Sequence, residues 1–209
     1  MNPLKSIGGT LVSGLILAVI IVFVTKGDHL FFGNANAAAS LIIWLHVLAG
    51  ITWIGLLYYF NFVQVPALGD ALADEGGPGG AGITKYVAPR ALWWFRWGAL
   101  FTWLTGAAFL LHPGAPATLL GAFTLGMNGD AANPYALTIG VGAWLGTIML
   151  FNVWVLIWPN QKKILGMVEA SADEIAKAKN MAFMASRSNT LMSIPLVMSM
   201  VGAHHGWVM

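Results

Sequence analysis

The chemistry this chain can offer rests on histidine. The 209 residues contain five histidines and no cysteine. Without cysteine there are no disulfides, thiolate metal sites or iron–sulfur clusters, and no CxxCH haem attachment. A redox or metal centre would need His, Met, Tyr or carboxylate ligands. Neutral imidazole is the common ligand for haem iron, copper and zinc. His46 lies between Leu45 and Val47 in a long apolar run, and His112 ends another. His204 and His205 are adjacent near the end of a third, and His29 lies between runs. The bland reading is an interfacial residue at a helix end; it suits His29 best and His46 least. For His46 the competing reading is a hydrogen bond to a neighbouring helix.

These side chains need elements to position them, and the composition says which. The chain is 58% hydrophobic and 9% charged, with mean hydropathy +0.74; a soluble domain carries about 25% charged residues. The deficit marks an integral membrane protein with one membrane domain. Five runs approach the roughly 20 residues a crossing needs: 8–25, 38–63, 91–112, 135–158 and 188–208. The sequence thus predicts an all-α bundle of five transmembrane helices. Lys5 and "ANA" at 35–37 imitate a signal peptide, but the first apolar run exceeds a typical h-region. It is read as a retained span.

The basic residues orient the bundle. Five spans place Lys5, Lys85, Arg90, Arg96, Lys162, Lys163, Lys177, Lys179 and Arg187 on one side and Lys26 on the other. Positive charge accumulates on the cytoplasmic side. The expectation is a multi-pass protein of a bacterial inner membrane, N-terminus cytoplasmic and C-terminus periplasmic. All five histidines then fall in the outer half, His46 roughly 12 Å below the outer end of its helix. Residues 67–90 read as a Gly-rich loop without the pattern of a phosphate loop. Residues 113–134 read as an external loop with a short apolar piece, "TLLGAFTLG". Residues 160–187 read as a helix opened by the capping box Ser171/Glu174 and continuing into the last span, where Pro195 should kink it.

Gly50 and Trp53 follow His46 at i+4 and i+7 and share its face. Gly50 leaves room for a flat macrocycle or another helix. Arg96 is the one formal charge well inside a span; it suits snorkelling to the cytoplasmic surface or pairing with a haem propionate. Trp93, Trp94, Trp158 and Trp207 fit an aromatic belt at span ends. No Asp or Glu is embedded, which argues against a proton-coupled transporter. His204 and His205 point about 100° apart on a helix, so one iron is not easily bound by both from one side.

Four blocks resemble one family: "WLHVLAGITWIGLLYYFNFVQVP" (44–66), "YVAPRALWWFRWGALFTWLTG" (86–106), "NVWVLIWPNQKKIL" (152–165) and "SRSNTLMSIPLVMSMVGAHH" (186–205). They are similar to the membrane domain of the PuuD-type urate oxidases, also called urate hydroxylases. Members join that domain to a C-terminal cytochrome c domain and oxidise urate without producing hydrogen peroxide. These 209 residues hold no such domain, which puts urate oxidation itself in doubt. The resemblance implies a haem b redox protein, with one or two haems. It would pass electrons to a soluble or membrane-anchored cytochrome c on the periplasmic face. The candidate ligands are His46 and His205 first, then His112 and His204, with Gly50, Trp53 and Arg96 around the cofactor. Two other readings stay open: a copper or zinc site on three of the same histidines, and a cofactor-free structural or assembly subunit. Lipid is the expected surrounding, a homo-oligomer or larger complex a further expectation, and nothing suggests nucleic acid.

Overall fold

The computed structural model describes residues 2–26, 35–129 and 133–206; His29 and Trp207 lie outside them. The described residues form helices joined by turns. The chain divides into two compact units, Met1–Leu41 and Ile42–Met209. In the first, a 3₁₀ turn Pro3–Lys5 leads into α1, Ile7–Lys26. Apart from Gly, Ser and Thr, α1 is apolar round its circumference up to Lys26, as a lipid-facing helix must be. The second unit holds most of α2 (Ala35–Tyr59), α3 (Val65–Ala73), α4 (Ala88–Leu110), α5 (Leu119–Phe123), α6 (Pro134–Phe151), α7 (Trp158–Ile164) and α8 (Ala172–His205). Among the described residues, three stretches are long and apolar enough to cross a membrane: Ile7–Thr25, Ala37–Ala73 and Pro134–Ile164.

Cross-helix contacts set the arrangement of the second unit. His46 of α2 meets Thr102 of α4, and Trp53 meets Gly98, so α2 and α4 run antiparallel. Trp103 Nε1 donates to Thr147 Oγ1 at 2.8 Å, while Trp97 packs edge-on against Trp154; α4 and α6 are antiparallel too. Ser199 donates to the Thr138 carbonyl at 2.7 Å and Asn152 to Asn189 at 2.8 Å, which reverses α8 against α6. Tyr58 pairs with Ser193 and Asn61 with Ser186, antiparallel once more. The result is a bundle of alternating helices around a core of Trp53, Leu57, Phe95, Met149 and Val153. A smaller apolar cluster of Leu110, Ala122, Ala136 and Ile139 lies at the His46 end. Leu191 is 71% exposed and Ile194 66%; apolar surface on this scale needs lipid rather than water.

Three π-helical segments interrupt the helices: Phe60–Gln64, Ile83–Val87 and Asn152–Ile157. Each ends two residues before a proline, at Pro66, Pro89 and Pro159. A proline ring collides with the carbonyl four residues back and offers that carbonyl no N–H. Widening the preceding turn to an i→i+5 pattern relieves both problems. The same widening helps turn Asn61, Gln64 and Asn152 inward, where all three are buried. The helix expected to end near Val63 therefore continues to Ala73. The expected loop 67–90 shrinks to the turn and bend residues around 74–80.

Local signals fix the other ends. The Ser171/Glu174 capping box is formed in both directions, and Asn133 caps α6 by accepting from the Ala136 N–H. Gly206 ends α8 with a left-handed φ of 77°, which glycine adopts without strain. α8 runs from Ala172 to His205 as one α-helix through Pro195.

Candidate functional site

A cavity of about 370 Å³ opens among α2, α4, α5, α6 and α8 at the His46 end. Its size falls within the roughly 300–1,000 Å³ of small-molecule and cofactor sites. Its walls are almost entirely apolar; the polar groups are few and come chiefly from His46, His204, His205, Trp53 and Thr102. Glycines make the space, with Gly106 on α4 and Gly142 and Gly146 on α6 all in the wall. The short helix α5 closes one side with Leu119 and Phe123. Thr118 caps α5, and the Trp144 indole N–H donates to the Phe123 carbonyl at 3.1 Å. The apolar piece "TLLGAFTLG" thus folds back onto the bundle.

His46 is held firmly. Its Nδ1 lies 2.8 Å from the Thr102 carbonyl oxygen and 3.3 Å from Thr105 Oγ1. A carbonyl only accepts, so Nδ1 carries the proton and Nε2 keeps its lone pair. This is how a ligating imidazole is oriented by its surroundings. The ring rests on Gly106, where an added Cβ would stand 3.0 Å from Cε1 and 3.3 Å from Nδ1.

His205 repeats the pattern at the end of α8. Its Nδ1 donates to the Val201 carbonyl at 3.0 Å, and among the described residues no group engages its Nε2. His204 differs. Its Nε2 lies 3.3 Å from the Tyr135 hydroxyl, and its ring packs near Tyr135 and Phe109. The adjacent histidines are therefore in different states, one with a free outer nitrogen and one engaged by a phenol. Trp53 is 2% exposed, lines the cavity, and its indole Nε1 has no hydrogen-bond partner. Buried polar atoms are nearly always paired, and this one is both unpaired and closed off from solvent.

The remaining sequence candidates lie elsewhere. His112 accepts from the Gly114 N–H at 3.1 Å within its own turn and is not in the cavity wall. Gly50 lies at the α2–α4 contact, where an added Cβ would stand 3.8 Å from Thr102 Cγ2. Arg96 stacks on Trp158, 3.8 Å from the ring centroid, at the end away from the histidines. Among the described residues, no three His, Asp or Glu side chains gather closely enough for a small metal ion. Sequence reasoning missed Tyr135, Thr102, Thr105 and Met200. For Thr102 and Thr105 the TWLTG run was a hint, because hydroxyls in a span need partners; for Tyr135 and Met200 there was none.

These features fit a flat, mostly apolar group bearing a central metal. Two imidazoles present free Nε2 atoms, an indole N–H is unpaired, and glycines open the walls. Residues 118–209 match the family model "Urate oxidase N-terminal", so the resemblance read from the sequence holds over that segment. The segment includes α5, α6, α8 and both terminal histidines; His46 precedes it. No curated protein and no solved structure matches the chain.

Proposed function

From the match of residues 118–209 to the urate oxidase N-terminal family model, we propose a haem b redox protein of a bacterial inner membrane. It oxidises urate and hands electrons to a cytochrome c at the periplasmic face. The observation that carries this reading is His46 and His205 in one apolar cavity, each with Nδ1 tied to a carbonyl and Nε2 free. Haem, when bound, supplies one-electron chemistry, and its potential is set by axial ligands, hydrogen bonding and burial.

The chain's own residues supply the rest. Thr102 fixes the His46 ring so that Nε2 points at a constant place, and Gly106 lets the ring lie close to α4. The apolar wall gives a bound group surroundings of low polarity. Oxidising urate with water as the oxygen source releases two electrons and two protons, so two one-electron acceptors are needed per turnover. The histidine end of the bundle, with α5 over the cavity, is where those electrons leave. The clustering of basic residues on the opposite side supports a topology with the histidine end outside.

The test is an oxidised-minus-reduced visible spectrum with a pyridine haemochrome assay on detergent-purified protein, wild type and His46→Ala. A b-type signal lost in the variant supports the assignment. A colourless wild type overturns it in favour of a copper or zinc site or a cofactor-free assembly subunit, which metal analysis separates.

A further inference from the structure

The bundle carries a second built feature at the end opposite the histidines. The Arg96 guanidinium of α4 lies over the indole of Trp158, 3.8 Å from its centroid. Lys162, one turn beyond Trp158, places its ammonium 6.0 Å from the same ring. Two cations thus share one aromatic face system. Among the described residues no carboxylate lies within ion-pair distance of either; Lys163 next door is the one that pairs, with Glu174 at 3.4 Å. No described group accepts a hydrogen bond from Arg96.

Arginine normally recovers its desolvation through its planar fork of five donors. Stacking on Trp158 uses the face of that fork and fixes its plane. The edge donors are left pointing away from the ring, in the geometry that takes an oxyanion in bidentate fashion. Trp93, Trp94 and Trp158 mark this level of the bundle as the aromatic belt, where headgroups lie. Arg96 is half-buried.

We propose that Arg96, Trp158 and Lys162 form a binding site for a phosphate monoanion, supplied by the headgroup of an anionic phospholipid in the leaflet at that end. The indole orients the guanidinium, Arg96 provides paired N–H donors, and Lys162 adds a second charge. The site is independent of the histidine cavity and of whatever that cavity holds.

The test is native mass spectrometry of the full chain released from nanodiscs containing equal phosphatidylglycerol and phosphatidylcholine. Wild type, Arg96→Lys, Arg96→Gln and Lys162→Gln are compared. The expected result is retained phosphatidylglycerol on wild type, about tenfold less on Arg96→Gln, and intermediate retention on Arg96→Lys and Lys162→Gln. Lys162 is on a short surface helix, so its variant reports even if Arg96→Gln folds poorly. A second arm adds millimolar inorganic phosphate. Unchanged lipid retention assigns the site to headgroups, whereas displacement assigns it to free phosphate on the same residues. Equal phosphatidylglycerol retention by all four proteins, or no preference over phosphatidylcholine in wild type, overturns the proposal.

Discussion

Gly106→Ala is the most informative single change. The new Cβ would stand 3.0 Å from His46 Cε1 and 3.3 Å from Nδ1. Ordinary carbon contacts lie at about 3.5–4.0 Å, so the ring must retreat by about half an ångström. Retreat lengthens the 2.8 Å bond to the Thr102 carbonyl and swings Nε2 off its line. Losing a neutral hydrogen bond costs about 1 kcal/mol, and overpacking adds about 1–3 kcal/mol. Disturbing the group that orients a ligating histidine typically costs about 10- to 100-fold in metal affinity. Gly106→Ala should therefore retain haem about 10- to 100-fold more weakly than wild type, in titrations of apoprotein followed by the Soret band. Gly50→Ala is the matched control, because its added methyl would meet only Thr102 Cγ2 at 3.8 Å. It should bind haem as wild type does. Equal affinity for the two variants, with both folded by circular dichroism, would refute the account of His46.

Three further outcomes are expected. His112→Ala should leave any haem spectrum unchanged, since His112 bonds only its own turn; loss of the Soret band would contradict its placement. Asn189 is fully buried, accepting from Asn152 and donating to the Met149 carbonyl at 3.0 Å. Asn189→Ala strands the Asn152 amide and should destabilise the bundle by about 1–2 kcal/mol, read as a lower unfolding midpoint in detergent. The Glu174 carboxyl is held below its ordinary pKa, first by the Ser171 N–H, then by Lys163 and the Ser171 hydroxyl. Its folded-state value is the lower one, so its support for the α8 start is complete above the unfolded value. That support fades as pH falls through the folded value. The hydrogen-exchange protection factor at residues 172–178, taken relative to the intrinsic exchange rate at each pH, should therefore fall in acid in wild type and lose that dependence in Glu174→Gln.

The sequence made the spans and the caps legible for simple reasons. Apolar runs near 135–158 and the Ser171/Glu174 pair are local signals, and they appear as α6 with its continuation and as the α8 cap. The helix ends around Pro66, Pro89 and Pro159 were not legible. A proline at the edge of an apolar run reads as a stop, yet a π turn before each one lets the helix continue. The candidate site divides the same way. His46 and the terminal pair stood out because histidine is costly in hydrocarbon. Which of them share a wall depends on which face α4 turns toward α2, and that is set by Gly98 and Gly106, whose meaning is tertiary. Tyr135 was invisible for the same reason: its role exists only because α8 brings His204 beside it. Arg96 was legible as a cytoplasmic-side charge that snorkels or meets an anionic group; its stacking on Trp158 was not, because it depends on how α4 packs against the α6 continuation.

The central claim is that the cavity holds haem through His46 and His205. The direct measurement is the reduced-minus-oxidised spectrum with pyridine haemochrome of the purified full chain, alongside His46→Ala and His205→Ala. The account expects a b-type spectrum in wild type that is lost or converted to a five-coordinate form in each variant. A wild-type protein without haem, or variants with an unaltered spectrum, would contradict it.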